Sequence, residues 1–520
     1  MNTTTAPDSP GRLMRDGSTG LLLALASFAF LLHIVTNAFG GYGIFRDELY
    51  YLACSHHLAF GYVDQPPLSI LILAINRLIL GDSVFALRLL PALAGGLTVF
   101  LTGLLARELG GGRFAQLLAC LASIVSLIFL GFDTIYSMNA FEILFWAVSI
   151  LLVVRILKSG DRRNWLWLGL VLGFGLMNKI SVLWLGAGIG GMLLFTEQRR
   201  WLKTRWPWIA AGIAFLIFLP YVIWNITHDM ATLEFMRNAS GDKYAGLTPL
   251  TFLMGQFLVQ NPVTAPLWLA GLYFLFGDRN GRIYRPLGFL YLIPLIILIA
   301  NWHTKPEYLA PAYTLLFAAG GVMVERWLSP AKVHWLRPVV AVLLASGLML
   351  APLTLPILPV NTYIRYADAL GVRPSTAERK ELADLPQFYA DMFGWEELAK
   401  TVAGVYHDLP PEEQTCTVVY TNNYGRAGAI DYYSEKYNLP PVYCGHNNYY
   451  LWPPPDETPA AIIIIGGKLE DHRQSLKEVH QVATKTCRHC MPYENNVPIY
   501  AGKGLKRPLA EIWPSTKHYD

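Results

Sequence analysis

Charge is what this chain is short of. Asp, Glu, Lys and Arg make up 15% of its 520 residues, against about 25% in ordinary soluble domains. That density is too thin to cover a protein of this size in water. The two signs also nearly cancel, 41 basic against 37 acidic. No basic stretch is interleaved with aromatics, which excludes a nucleic-acid platform. A small-residue cleavage site is lacking after the first apolar run, and that run is too long for a signal-peptide core. The expectation is an uncleaved anchor, with the polar segment Met1–Thr19 and its Arg12 and Arg15 in the cytoplasm. Cysteine is sparse, six in all, and no internal repeat is visible.

What is abundant is apolar and aromatic. Hydrophobic residues are 53%, mean hydropathy is +0.35, and there are 15 Trp and 27 Tyr, rings that sit well at headgroup level. Runs of the length that spans a bilayer, about 17–25 residues, occur near 20–39, 84–106, 113–131, 140–157, 164–178, 180–196, 207–225, 251–276, 285–300, 307–325 and 338–356. The prediction is an all-α polytopic membrane bundle of about eleven helices. Loop charge orients it: Arg107, Arg113, Arg155, Lys158, Arg162, Arg163, Arg199, Arg200, Arg326 and Arg337 crowd alternate loops, which are therefore inner. Residues 1–358 form the membrane domain, with a long first outer loop at 40–83. Within that loop, Glu48–Ala53 and Leu68–Leu73 read as interfacial helices, the second opened by Pro66-Pro67.

Beyond Pro356 the texture changes, and charge is spread throughout 359–520. Thr417–Tyr420 and Ile462–Ile465 read as buried strands, Leu469–Val482 and Ala427–Tyr437 as helices. The prediction is a small α/β domain, extracytoplasmic because the span count is odd. Four of the six cysteines lie here, Cys416, Cys444, Cys487 and Cys490. An even count in an exported domain favours disulfides, with a zinc site at Cys487-Arg488-His489-Cys490 as the rival. Cys54 and Cys120 read as apolar fillers. Asn422-Asn423-Tyr424 and His446-Asn447-Asn448-Tyr449-Tyr450 are either sugar-stacking residues or turn residues beside a core.

Ionisable residues at a membrane edge are costly to desolvate, so they are either wet or functional. The sharpest instance is Arg46-Asp47-Glu48-Leu49-Tyr50-Tyr51, directly after the first span and the break Gly40-Gly41-Tyr42-Gly43. It is followed by Gly61-Tyr62-Val63-Asp64-Gln65-Pro66-Pro67-Leu68 and by Leu87-Arg88-Leu89-Leu90-Pro91-Ala92-Leu93-Ala94-Gly95. These three stretches resemble the GT-C glycosyltransferases of family 39: the protein O-mannosyltransferases, the lipid A aminoarabinose transferases and related bacterial sugar transferases. The likeness runs in order and topology over roughly residues 20–350 and does not reach the C-terminal domain.

The resemblance implies an integral membrane glycosyltransferase that takes a sugar from a polyprenyl-phosphate donor and passes it, with inversion, to a glycolipid, glycan or protein acceptor on the periplasmic face of the bacterial inner membrane. Asp47 matches the family's catalytic base, since an attacking hydroxyl needs a carboxylate within hydrogen-bond reach. Glu48 either helps bind acceptor or caps the interfacial helix. Asp133 and Glu142 are the candidates for a second acid, because Met138-Asn139-Ala140 stands where an acidic residue is common. Arg88, Lys179, His303, Lys305 and Tyr308 are the candidates for the donor phosphate, whose departing charge needs fixed cations. Asp64 and Gln65 form the polar turn before the prolines, on the acceptor side or as turn-formers only.

A divalent metal held by Asp47, Glu48, His56, His57 and Asp64 is conceivable, but no tight ligand spacing backs it, and metal use stays open. A lipid or glycan transporter or flippase is the rival class. It predicts repeats and polar groups at mid-membrane, where this chain gathers them at one face. A polymerase or ligase predicts its main outer loop late in the bundle. No inner loop is large enough for a soluble nucleotide-sugar transferase.

Overall fold

The computed structural model describes residues 17–243, 246–279, 281–376, 378, 380–454 and 459–520. The expectations for Met1–Asp16 lie outside the described residues. Helices occupy every one of the eleven predicted stretches. Seven of them are long and apolar enough to cross a membrane: Ser18–Phe39, Val84–Glu108, Met138–Ser159, Trp206–Thr227, Arg282–Ala300, Pro306–Trp327 and Leu336–Leu353. The pair Arg113–Val125 and Leu127–Thr134 makes an eighth if taken together, bent by 61°. Among the described residues, length and composition thus give seven or eight spans where the sequence reading has eleven. The other stretches are shorter helices, Arg163–Asn178 and Val182–Phe195, hinged at Lys179 as the sequence suggests.

One predicted run is not continuous. Residues 251–276 split into Pro249–Val259 and Ala265–Phe276. Asn261 takes φ +72° and Pro262 follows it, and proline cannot continue the preceding helix. Met138–Ser159 and Pro306–Trp327 are the buried centre of the bundle, whereas Ser18–Phe39, Trp206–Thr227 and Leu336–Leu353 leave most of their apolar surface outward, as helices facing lipid do.

The charge-marked loops sort to opposite ends. At one end Lys158 and Arg155 meet Glu108 at 2.7 and 3.6 Å, Arg326 meets Asp278 at 2.9 Å, and Glu325 accepts from the backbone of Gly112, Phe114 and Ala115. At the other end lie the loop-40–83 helices Arg46–His56 and Leu68–Leu80, the turn at 133–139, Lys179 and the segment 301–308, all joined by the contacts described below.

The C-terminal domain is a five-stranded sheet in the order β2-β1-β3-β5-β4, where β1 is Thr417–Thr421, β2 Val442–Cys444, β3 Ala461–Ile465, β4 Leu476–Lys485 and β5 Val497–Leu505. β1 pairs in parallel with β2 and β3, and β5 runs antiparallel to β3 and β4. The isoleucine run is buried on both faces, odd positions toward the helices Trp395–His407 and Tyr424–Tyr437 and even positions toward Leu476 and Tyr500. The expected helix 469–482 is corrected: it stops at Ser475, and β4 takes over. Val479 and Ala483 pair with β5, and strand alternation wins over a pattern that also suits a helix.

The disulfide expectation is also corrected. All six cysteines are free thiols. Thr421 is paired with Cys444, so Cys416, five residues back along β1, lies well beyond the roughly 7 Å Cα separation a bridge tolerates. Cys444 sits on one edge of the sheet, whereas Cys487 and Cys490 follow the strand at the other. Only Cys487 and Cys490 lie together. Lys485 Nζ is 3.8 Å from Cys490 Sγ and donates to the Glu494 carbonyl at 2.7 Å.

Candidate active site

The site grows from the helix Arg46–His56. Its start is fixed by Glu48, whose carboxylate reaches back to accept from the Phe45 backbone N–H at 2.8 Å, and by two acids in the first turn that suit the positive end of the helix. One face carries Asp47, Tyr50, Tyr51 and Cys54, at helical spacing. The opposite face, with Leu49, Leu52, Ala53 and His56, lines a cavity of about 620 Å³ against the helix Tyr424–Tyr437, away from Asp47.

The two neighbouring carboxylates have different fates. Glu48 is 0% exposed and accepts from Arg88 Nε at 2.9 Å, Arg88 Nη2 at 2.7 Å and the Tyr136 backbone N–H at 2.8 Å. Arg88, 2% exposed, spends its remaining reach on the Gly43 carbonyl at 2.9 Å. Of the two readings of Glu48 this supports the helix cap over acceptor binding, and it corrects the expectation for Arg88. Glu48 caps its helix and neutralises Arg88, and Arg88 is sealed inside the fold with no face open to a phosphate. The pair clamps the first outer loop to the mouths of the helices that begin at Val84 and Met138.

Asp47 keeps a side chain 40% exposed. Tyr424, from the C-terminal domain, donates to its Oδ1 at 2.8 Å, and Arg46 Nε reaches the same oxygen at 3.4 Å. Burial holds the Tyr424 phenol well above its usual range, so the hydroxyl remains a donor. Arg46 is buried and held by Asp391 at 3.5 Å, Glu378 at 3.8 Å and the Tyr493 hydroxyl at 3.0 Å, and its backbone N–H donates to the Asp391 carbonyl at 3.0 Å. Burial pushes Asp391 up to about 7, with the charges of Asp47 and Glu378 adding to the rise and Arg46 opposing it. The close approach of the two domains depends on glycine: a Cβ at Gly425 would lie 2.6 Å from Arg46 Cγ, and one at Gly428 would lie 2.8 Å from Leu49 Cβ.

From Asp47 a polar network runs both ways. Tyr50 packs on the Tyr424 ring at 4.9 Å and donates to Asp64 Oδ1 at 2.8 Å. Tyr50 also accepts from the Asn448 backbone N–H at 3.2 Å, and Asn448 Oδ1 accepts from Val63 at 3.2 Å. One turn on, Tyr51 accepts from the Met138 backbone N–H at 3.3 Å. The next residue, Asn139, accepts from Lys179 Nζ at 2.7 Å. Lys179 is 13% exposed, pairs with Glu142 at 2.6 Å and lies 5.4 Å over the Tyr308 ring. Ser181 donates to the other Glu142 oxygen. Lys305 is 3.8 Å from Glu307, and His303 meets the Leu247 carbonyl at 3.2 Å.

Asp47, Asp64, Lys179 and Tyr308 are thus brought to one connected surface, with Lys305 and His303 on the neighbouring loop. Gln65 is buried with both amide atoms unpaired, and Asp133 is buried against Gly95, behind that surface. The imagined loop metal ligands are dispersed: Glu48 is on Arg88, His56 is 2.9 Å from Arg77, and His57 stacks on Trp452 at 4.2 Å. Sequence reasoning missed Tyr493, Glu378 and Asp391, and it singled out Tyr424 only as a sugar-stacking or turn residue; their roles appear only once the C-terminal domain is docked.

Comparison with known proteins fits this geometry. The family profile of the dolichyl-phosphate-mannose-protein mannosyltransferases matches residues 64–224. The lipid A galacturonosyltransferase RgtD of Rhizobium johnstonii is 25% identical over 366 residues, 68% of this chain and 74% of the relative. An undecaprenyl phosphate-alpha-4-amino-4-deoxy-L-arabinose arabinosyl transferase of Pseudomonas paraeruginosa is 27% identical over 289 residues, 52% of each. Against that second relative, then, the match spans about half its length. Among solved structures, ArnT from Cupriavidus metallidurans bound to undecaprenyl phosphate superposes with a TM-score of 0.59 at 12% identity, covering 95% of this chain and 98% of that one. The mycobacterial arabinofuranosyltransferase AftD gives 0.53 at 14%, covering 94% and 40%.

The fold is that of ArnT, and in sequence the chain is similar to membrane glycosyltransferases. Within that class the resemblance read from the three outer-loop stretches is borne out: the chain is similar to the lipid A and aminoarabinose transferases and carries the ArnT-like fold.

Proposed function

We propose that the chain transfers a sugar from a polyprenyl-phosphate donor to an acceptor at the periplasmic face of the bacterial inner membrane, inverting the anomeric centre, with Asp47 as general base. The observation that carries this reading is the contrast between the two neighbouring acids. Glu48 is consumed by four hydrogen bonds in the interior, whereas Asp47 is partly exposed, and among the described residues both of its hydrogen bonds fall on Oδ1. The second oxygen is left for the acceptor hydroxyl. As the acceptor's hydroxyl oxygen attacks the anomeric carbon, its proton passes to Asp47, the bond from carbon to the phosphate oxygen breaks, and polyprenyl phosphate leaves.

Lys179 and Lys305, with His303 and Tyr308, supply the positive side of the pocket for that phosphate. The relative solved with undecaprenyl phosphate supports the donor class. The relative named for lipid A favours a glycolipid acceptor over a glycan or protein. The test is transfer by the purified protein from an undecaprenyl-phosphate sugar to lipid A. Asp47→Asn should lower kcat by at least about 10²-fold, the lower end of what a positioned base contributes, with the protein still folded and inserted. Transfer at the wild-type rate by Asp47→Asn rejects the base assignment.

A further inference from the structure

Apart from the Asp47 surface, one other cluster joins convergent ligand types to an unmet bonding need. His446, His518 and Asp520 each place a ligand atom within 4.8 Å of the other two, the one such convergence of three or more metal-binding side chains among the described residues. Their backbones are already in register. His446 and His518 face each other across an isolated parallel bridge, with His518 N–H donating to the Gly445 carbonyl and Asn447 N–H to the His518 carbonyl, both at 3.0 Å. The two imidazole rings lie 4.4 Å apart.

One of the two histidines, His446, is not satisfied by protein alone. His446 is 8% exposed; its Nε2 meets Asp520 Oδ1 at 2.9 Å, and its Nδ1 is buried with no partner. His518 holds Nδ1 2.9 Å from the Thr516 carbonyl and Nε2 2.9 Å from the Asn422 carbonyl.

We propose that His446, His518 and Asp520 bind a divalent cation of the zinc class, with water completing the coordination. Two imidazole nitrogens and one carboxylate suit zinc and its neighbours, whereas calcium and magnesium want all-oxygen shells. Asp520 is exposed and His518 half-buried, so an ion has a way in. The site lies directly behind the catalytic surface, because the His446 ring is 4.7 Å from the ring of Tyr424. A bound ion therefore fixes the segment 516–520 against the residue that holds Asp47.

The test uses the full-length protein in detergent, stripped with a chelator and dialysed against Zn²⁺ with magnesium in excess, then analysed for metal. His518→Ala and Asp520→Asn are the variants, since neither side chain lies in the packed core. Wild type should retain one more Zn²⁺ per chain than either variant, and each variant should bind at least about a hundredfold more weakly, beyond the effect of losing an outer-shell partner. Cobalt loaded in place of zinc should give visible ligand-field absorption in wild type only. Equal zinc content in all three proteins overturns the proposal and leaves a hydrogen-bonded cluster. Because the readout is metal content, the result is independent of whether the chain transfers sugar.

Discussion

Glu48 and Arg88 pose a quantitative question that stability and kinetics answer together. Replacing Glu48 by Gln removes the charge that balances an Arg 2% exposed, and breaking one side of a buried pair costs about 3–5 kcal/mol. Arg88→Met leaves the Glu48 carboxylate two backbone donors, Phe45 and Tyr136, yet strands its negative charge, at a cost of the same order. In the double variant no uncompensated charge remains, and the amide oxygen that replaces the Glu48 carboxylate still accepts from one of those donors. Its cost should therefore fall short of the sum of the single costs by at least about 2 kcal/mol, within the range seen for residues in one network. Denaturation of all four proteins in a fixed detergent reads the cycle, and donor KM in whichever variants stay active reads the rival role. Additive single effects of less than about 1 kcal/mol, together with a donor KM raised at least tenfold in Arg88→Met, would refute the clamp and return Arg88 to the phosphate.

Three further outcomes follow from the geometry. Tyr424→Phe deletes one hydrogen bond to a charged acceptor, worth about 1.5–3 kcal/mol, and should lower kcat about ten- to a hundredfold with donor KM unchanged; a wild-type kcat would remove Tyr424 from the site. Asp391, pushed up to about 7 by burial, holds a proton in the fold that it releases near 4 when unfolded, so its contribution to stability should decline as pH rises from about 4 to about 7 and then level off. Asp391→Asn should flatten that slope in a thermal-stability series, and an unchanged slope would assign it elsewhere. Hydrogen bonding from Cys490 lowers the Cys487 thiol below its usual range, with burial opposing and Lys485 assisting. At pH 7 Cys487 should therefore alkylate ahead of Cys416, by mass spectrometry of the intact protein under non-oxidising conditions.

Much of the membrane half was legible because each element announces itself locally. Apolar runs of bilayer length, alternate basic loops and the Asp47-Glu48 pair after the first span need only the chain itself to be seen. What was hidden was set by partners distant in sequence. Glu48 and Arg88 are forty residues apart and each looks functional alone; only packing reveals that they cancel. Tyr424 sits 377 residues from the acid it touches, in a stretch that read equally as a turn. The break at Asn261-Pro262 was visible as a proline, but the apolar residues on both sides masked it. The helix-to-strand change at Ser475 was lost because Leu469–Val482 satisfies both periods, and β5 decides between them.

The core shared by the site helix and the C-terminal domain has a consequence for biogenesis. Leu49, Tyr50, Leu52, Trp395, Ile430, Ile463 and Val497 bury one another, and except for Asp47 the counter-charges of Arg46 come from beyond residue 370. While the chain is still being threaded through the insertion machinery, its first outer helix therefore waits with a bare greasy side and an unbalanced cation. The candidate site is therefore complete only once the C-terminal sheet has been made, and a product ended before β5 should lack activity.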